Sequence, residues 1–271
     1  MSLDVLLRIR LGLTTFEIES RPMNPFTAYG IQHLSPSSCN LFASSPAMFV
    51  LQKCMGGKFP VGAAAHRGTA VEAGIVYGLM NGADDAECIK ICETEFNKLT
   101  ALSGDSRRDK EAAAIGDMVK MGLSELRPYG KPTETQGKIE YHVEGLAVPL
   151  IGFFDIEWAN HGILTDIKTT HALPSKISTS HARQVALYRA ARGHNLDARV
   201  TYVTPKKSAT YHLENVEQHV EALTRIALTI QNFLSVSDDA KELAKLVVPE
   251  VDSFYFADPL ARKTAFDVWG L

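Results

Sequence analysis

Two hydrophobic rhythms divide the chain, and the change between them falls near residue 130. Before that point apolar residues recur at three- and four-residue steps, the spacing that gathers them on one side of a helix. Ile89, Cys92, Phe96 and Leu99 follow it and predict an amphipathic helix over 84–102. A second is expected over 109–126, stopping before Arg127-Pro128. Ahead of them a helix of small residues should start near residues 64–69 and end at Asn81-Gly82, where glycine suits the left-handed residue that closes a helix. Leu34-Ser35-Pro36-Ser37-Ser38 reads as a helix start, because serine and proline suit the open donors of a first turn. Apolar residues then carry that helix from Cys39 to Cys54.

Beyond residue 130 the runs shorten and alternate. Residues 136–148, 150–158 and 162–169, punctuated by Gly145 and Asn160-His161-Gly162, predict an antiparallel meander. Helical spacing returns over 178–192 and ends at Gly193-His194-Asn195. Two further strands, 199–204 and 209–214, are expected to pair, and a long helix should follow over 215–235. This order predicts an α/β fold with a mixed central sheet flanked by helices. Residues 1–30 stand apart, with loose strand-like alternation from Leu6 to Glu19 broken by Arg21-Pro22-Met23-Asn24-Pro25. They are expected to form an N-terminal extension, with residues 31–271 a single domain whose first part is helical.

Composition narrows the function. A net charge of −3 argues against coating nucleic acid by bulk attraction, so any DNA contact needs a local basic patch. No stretch approaches the ~18–20 uncharged apolar residues of a membrane span. The first residues carry Asp4, Arg8 and Arg10 with no small-residue cleavage site, so a cytoplasmic protein with no membrane partner is expected. Cys39, Cys54, Cys88 and Cys92 fit no disulfide or metal pattern and are expected as buried free thiols.

The candidate chemistry lies in the meander. In a strand, positions two apart share a face, so Asp166 and Lys168 project together while Ile167 points into the core, its carbonyl still within reach of a metal. Phe153, Phe154 and Ile156 embed Asp155 in apolar sequence one hairpin away. Two carboxylates on adjacent apolar strands would repel, and a divalent cation between them is the shortest remedy. Magnesium suits such oxygen ligands and keeps waters for a phosphate substrate. Taken alone, Asp-X-Lys is so common that a surface ion pair explains it better. Three features shift that balance: Glu72 on the small-residue helix, a shared helix face for His181, Gln184 and Tyr188, and the order in which all these residues occur.

Arg67-Gly68-Thr69-Ala70-Val71-Glu72, Gly152 to Asp155, Asp166-Ile167-Lys168 and Gln184 to Tyr188 together resemble the RecB-like branch of the PD-(D/E)XK nuclease superfamily. There an R-G-T-x-x-H/E helix, a G-x-x-D strand, a D/E-x-K strand and a Q-x-x-x-Y helix occur in this order. The serine-containing start at Leu34 resembles the family's early helix, and the likeness runs from Leu34 to Lys207. Glu72 stands where many relatives have histidine, which is more similar to phage-type exonucleases. Ser45 before Pro46 stands where cluster-bearing relatives have cysteine, and no cysteine follows Cys92, so the resemblance implies no iron–sulphur cluster.

The resemblance implies a restriction-endonuclease-like core that hydrolyses DNA phosphodiesters with one or two Mg²⁺ or Mn²⁺ ions. Asp155, Asp166 and the Ile167 carbonyl would hold the metal, with Glu72 assisting. Lys168 would orient or deprotonate the attacking water or stabilise developing charge, and Gln184 and Tyr188 would orient the DNA backbone or catalytic groups. Arg67, His181, Arg183, Lys206 and Lys207 are the candidate DNA contacts; solvation explains any single one of the two lysines better. Tyr129, Phe154 and Trp158 are better read as core than as base-stacking residues. The leading expectation is a phage-type exonuclease acting on double-stranded DNA ends in recombination or repair, with a homo-oligomer left open. Alternatives are a structure-specific or CRISPR-adaptation-type endonuclease, an inactive DNA-binding subunit with the same core, and an unrelated α/β protein.

Overall fold

In a computed structural model, residues 24–193 and 195–271 are described; the alternation between Leu6 and Glu19, and most of the expected extension, lie outside them. Helix α1 (Pro36–Ser44) begins where the serines predicted. The Ser35 hydroxyl accepts from the Ser38 N–H, and the Ser38 hydroxyl accepts from the Ser35 N–H, so two open donors are satisfied reciprocally. The uninterrupted helix expected as far as Cys54 is not found. Pro46 supplies no N–H and pushes Ser45 out of helical geometry, to φ −153° and ψ 80°. A short α2 (Pro46–Phe49) and one wide turn, Val50–Cys54, replace it.

Helices α3 (Ala63–Asn81), α4 (Asp85–Leu99) and α5 (Arg108–Leu126) fall close to their expected ranges, and Gly82 closes α3 at a φ of 65°. The small residues of α3 have a steric purpose. A Cβ on Gly74 would stand 2.9 Å from the Cys88 carbonyl oxygen, and one on Gly78 would stand 2.6 Å from the Cys88 sulfur. Glycine there lets α4 approach backbone to backbone, and Cys88 and Cys92 are buried as free thiols in that contact.

Strands β1 (Glu134–Tyr141), β2 (Leu150–Trp158) and β3 (Ile163–Thr169) form the antiparallel meander, although β1 stops seven residues short of its expected end at 148. Helix α6 (Thr179–Arg192) crosses from β3 to β4 (Asp197–Val203), which makes that pair parallel. β5 (Ser208–His212) returns antiparallel, giving one mixed sheet in the order β1-β2-β3-β4-β5. Then come α7 (Val216–Leu234), α8 (Ala240–Ala244) and α9 (Pro259–Trp269), and the sequence pattern gave no expectation for the last two.

Both faces of the sheet are covered. On one, Phe154, Leu164, Val200 and Tyr202 pack against Val185, Leu187 and Tyr188 of α6 and Leu223 and Ile230 of α7. On the other, Ile156, Trp158, Ile163 and Ile167 meet Val71 and Ile75 of α3 and Val119 and Leu123 of α5. Each such side chain contributes about 1.5–3 kcal/mol on burial. A third cluster joins α2 to α9 through Met48, Leu51, Phe256, Ala261 and Ala265. Among the described residues no helix is long and apolar enough to cross a membrane.

Two glycine substitutions should separate close approach from helix propensity. Gly74→Val is expected to destabilise by about 1–3 kcal/mol through overpacking against α4. Gly116→Ala places its Cβ 3.7 Å from Ile89, an ordinary contact, and should stabilise by roughly 0.5–1 kcal/mol. Urea midpoints of the two variants would read the difference.

Candidate active site at a break in the sheet

Asp155 stands where the ladder is interrupted on both sides. The β1–β2 register runs Glu134–Glu157, Thr135–Ile156 and then Gly137–Phe154, passing over Gln136 and Asp155. The β2–β3 register runs from Trp158–Ile163 to Ile156–Thr165 and stops there. In place of the next ladder bond, Asp155 Oδ2 accepts the Ile167 N–H at 2.6 Å. The alternation of faces also shifts phase at this residue. Phe154 packs towards α6, whereas Ile156, two positions on, packs towards α3 and α5. The carboxylate is thereby turned inward beside β3 and is buried.

β3 keeps its period of two. Ile167 is buried in the α3–α5 cluster, and Asp166 and Lys168 project together on the α6 side, with Lys168 Nζ 2.6 Å from Asp166 Oδ2. Asp166 is only 1 % exposed. Its Oδ1 accepts from Gln184 Nε2 at 3.2 Å, and the same amide donates to the Tyr188 hydroxyl at 2.6 Å. Ser178 starts α6 by accepting the His181 N–H, which sets the phase that brings Gln184 over β3. Gly152 completes the arrangement, since a Cβ there would stand 2.6 Å from the Tyr188 ring. The glycine three residues before Asp155 is therefore the seat of the tyrosine four residues after Gln184.

Lys168 and Gln184 border a cleft of about 640 Å³. Ser37, Asn40 and Ser44 of α1 line one wall, Gly68, Thr69 and Glu72 of α3 another, and Ile167, Lys168, Ser180, His181 and Gln184 the floor and far side, with Tyr255 at its margin. A larger groove of about 900 Å³ at the C-terminal end of α3 contains none of these groups.

The family model of the PD-(D/E)XK nuclease superfamily matches residues 33–258. The chain belongs to that superfamily. No curated protein matches it. Among solved structures one described as "Crystal structure of SSO0001" is similar, at 17% identity, covering 60% of this chain and 85% of that one with a TM-score of 0.32. Membership of the superfamily suggests a nuclease, and the mixed five-stranded sheet flanked by helices is consistent with its restriction-endonuclease-like fold.

The carboxylates of this PD-(D/E)XK chain bear on one another. Burial, then the charges of Asp166 and Glu72, push the Asp155 carboxyl well above the usual carboxylate range. Burial and the Asp166 charge likewise push Glu72 up, opposed by Lys168 and by the hydrogen bond that Gln136 Nε2 donates to Glu72 Oε1. Burial by itself would lower the Lys168 ammonium, but Asp166 and Asp155 outweigh it and the net shift is upward.

Superfamily nucleases typically use divalent metals, and the donor set here fits one. Three carboxylates face a single ammonium, all offering the oxygen ligands that Mg²⁺ or Mn²⁺ prefers. The buried Asp166 Oδ2 is ion-paired with Lys168 Nζ at 2.6 Å, without the angular geometry of a hydrogen bond. Among the described residues the three are not drawn together into a ligand cluster, Asp155 being held by the Ile167 N–H and Asp166 by Lys168 and Gln184.

The candidate DNA contacts fare unequally. Arg67 is a correction: it is 4 % exposed and pairs with Glu111, while its guanidinium also meets His171 Nε2 at 2.9 Å and donates to the Thr169 carbonyl at 3.2 Å. It anchors the end of β3 to α5 and is not placed to meet a phosphate. Arg183 donates to Asn40 Oδ1 at 2.8 Å, which ties α6 to α1 at the cleft wall. His181 lines the cleft, but its Nδ1 lies 2.8 Å from the Tyr202 hydroxyl, and burial followed by the Lys168 charge lowers its pKa. Lys206 and Lys207 are exposed in the β4–β5 turn, outside the cleft lining. Phe154 and Trp158 are core residues as expected, and Tyr129 packs on Trp158 with ring centroids 5.2 Å apart.

Sequence reasoning missed Glu111, His171 and Gln136. Glu111 carried a signal of a kind, a lone carboxylate at a core-facing position of α5, four residues before the buried Ile115. Removing it should be costly: Glu111→Ala leaves the Arg67 guanidinium buried without its partner and is expected to destabilise by about 3–5 kcal/mol, read from denaturant midpoints. Asp155→Asn should do the opposite without metal. A carboxyl whose folded pKa lies above its unfolded value penalises the folded state once the pH exceeds the unfolded value. The amide keeps an acceptor for Ile167 and removes that penalty, so in a chelator the variant should melt higher than the parent at pH 7, with the gap closing towards pH 4.

Proposed function

We propose that this chain is a Mg²⁺- or Mn²⁺-dependent deoxyribonuclease of the RecB-like branch, an exonuclease that trims double-stranded DNA ends in recombination or repair. The observation that carries the reading is the gathering of Asp155, Asp166, Lys168 and Gln184 around the middle of β3, beside a cleft that Glu72, Lys168 and Gln184 line.

Asp155, Asp166 and Glu72 would hold the cation, with the Ile167 carbonyl as a further oxygen donor. Bound there, the cation would supply Lewis acidity for phosphodiester hydrolysis and for activation of a water. The chain's own groups do the rest. Lys168 offers its ammonium to the phosphate oxygens on which charge develops, and orients the water by hydrogen bonding. Gln184 keeps Asp166 in one rotamer through its amide, and Tyr188 fixes Gln184 in turn. Ser37, Asn40, Thr69 and Ser180 give the cleft wall neutral donors for the non-bridging oxygens of the sugar–phosphate backbone. Neutral donors suit a wall so near three carboxylates, because they grip phosphate without pairing with the site itself.

Purified protein is expected to degrade linear double-stranded DNA only with Mg²⁺ or Mn²⁺ present, and Asp166→Ala should abolish that activity while the circular dichroism spectrum stays native. Full activity in Asp166→Ala, or activity in a chelator, would refute the assignment. Linear, nicked, circular and single-stranded substrates run in parallel separate an exonuclease from a structure-specific endonuclease, and a parent protein that binds DNA but cleaves none of them with either metal would be identified as an inactive DNA-binding subunit.

A further inference from the structure

Gln136 has a backbone φ of 54°, in the left-handed region, within an otherwise extended edge strand. For a residue other than glycine that conformation costs energy and persists only where the surroundings impose it. By register Gln136 would pair with Asp155, since Thr135 pairs with Ile156 and Gly137 with Phe154, and this pair is passed over. The distortion therefore coincides with the break that turns Asp155 inward. The Gln136 side chain crosses from β1 to α3, where its amide donates to the Glu72 carboxylate.

We infer that Gln136 is a positioning residue: its left-handed backbone aims a neutral amide at Glu72 and holds that carboxylate beside Asp155 and Asp166 for a shared divalent cation. The inference rests on the reading of these three carboxylates as the cation's holders. Three features of the chemistry support it. An extended residue at this position would keep the ladder closed and carry its side chain along the sheet instead of to α3. An amide fixes a carboxylate by one directional bond without adding positive charge, so Glu72 keeps its attraction for a cation, whereas lysine or arginine there would compete with the metal. Lastly, Glu72 lies on a helix and has no ladder bond to β1, so the Gln136 amide ties it to that strand through a side chain, beside its hydrogen bond with Asp155.

The test uses calorimetric titration of Mn²⁺ into the full chain and its Gln136→Gly, Glu72→Gln and doubly substituted variants, with thermal melting of each. Glycine relieves the left-handed backbone and removes the amide. The Gln136→Gly protein should therefore melt no lower than the parent yet bind Mn²⁺ about tenfold more weakly or worse, the scale expected when a group that orients a metal-holding side chain is lost. Because Gln136 acts through Glu72, adding Gln136→Gly to Glu72→Gln should weaken binding no further. Parent-like Mn²⁺ affinity in Gln136→Gly, or additive losses in the double variant, would overturn the role of Gln136 alone. Equal Mn²⁺ affinity in the parent and Asp166→Ala would overturn the cation site itself, and the inference with it.

Discussion

Negative charge in a place that water barely reaches is the constraint around which this molecule is arranged. Asp166 is almost fully buried, Asp155 is buried beside it, and Glu72 comes from a third element. Among the described residues Lys168 is the one ammonium within this group, so the carboxylates outnumber their counterion, and burial with the neighbouring charges pushes Asp155 and Glu72 towards protonation. Such an arrangement lowers the stability of the apoprotein and has no packing rationale, because apolar residues of similar size would fill the same space more favourably. In the proposed function a cation completes the charge. The same groups that weaken the fold then provide the affinity, which is how a stability deficit and a function come to share residues.

The rest of the architecture holds that unfavourable cluster in register. β3 carries alternate residues to opposite faces, so Ile167 is anchored among α3 and α5 while Asp166 and Lys168 face α6. A chain of hydroxyls links the central strands, from Thr165 to Thr201 at 2.9 Å, on to Thr210 at 3.0 Å and from there to Glu125 of α5 at 2.7 Å. At the far end of β3, Arg67 grips the Thr169 carbonyl and is itself held by Glu111. A strand fixed at its centre and its end leaves little freedom for Asp166 to swing away from its neighbours. The Gly152–Tyr188 contact does the same for α6, because the ring can lie on the strand only where no Cβ intervenes.

Much of this could be read from the residues alone, and the division between what could and what could not follows from sequence separation. The strand positions of Asp166 and Lys168, the start of α1 and the polar face of α6 depend on neighbours within a turn or two, and local pattern expresses them. Arg67 looked like a DNA contact because an arginine in a glycine-containing helix carries no local sign of being buried; its partner Glu111 lies 44 residues further on. The helix through Pro46 failed for a different reason, since apolar content outweighed in the reading a proline that removes a donor. The phase shift at Asp155 left almost no trace, because alternation in the run from Leu150 to Trp158 was already blurred by burial on both faces. Gln136 was invisible altogether, for a left-handed glutamine is a consequence of the break and not a preference of the residue.

That last point bears on how the G-x-x-D pattern works. Gly152 and Asp155 do opposite things to one strand. Gly152 keeps β2 flat enough for the Tyr188 ring to lie against it, whereas at Asp155 the strand leaves the ladder on both sides. Regular pairing before the acidic residue and none at it gives a carboxylate that is rigidly placed but not committed to the sheet. Its one backbone partner, the Ile167 N–H, belongs to the residue between Asp166 and Lys168. The break in β2 and the charged pair of β3 are thus fastened by a single bond, and neither can move without displacing the other.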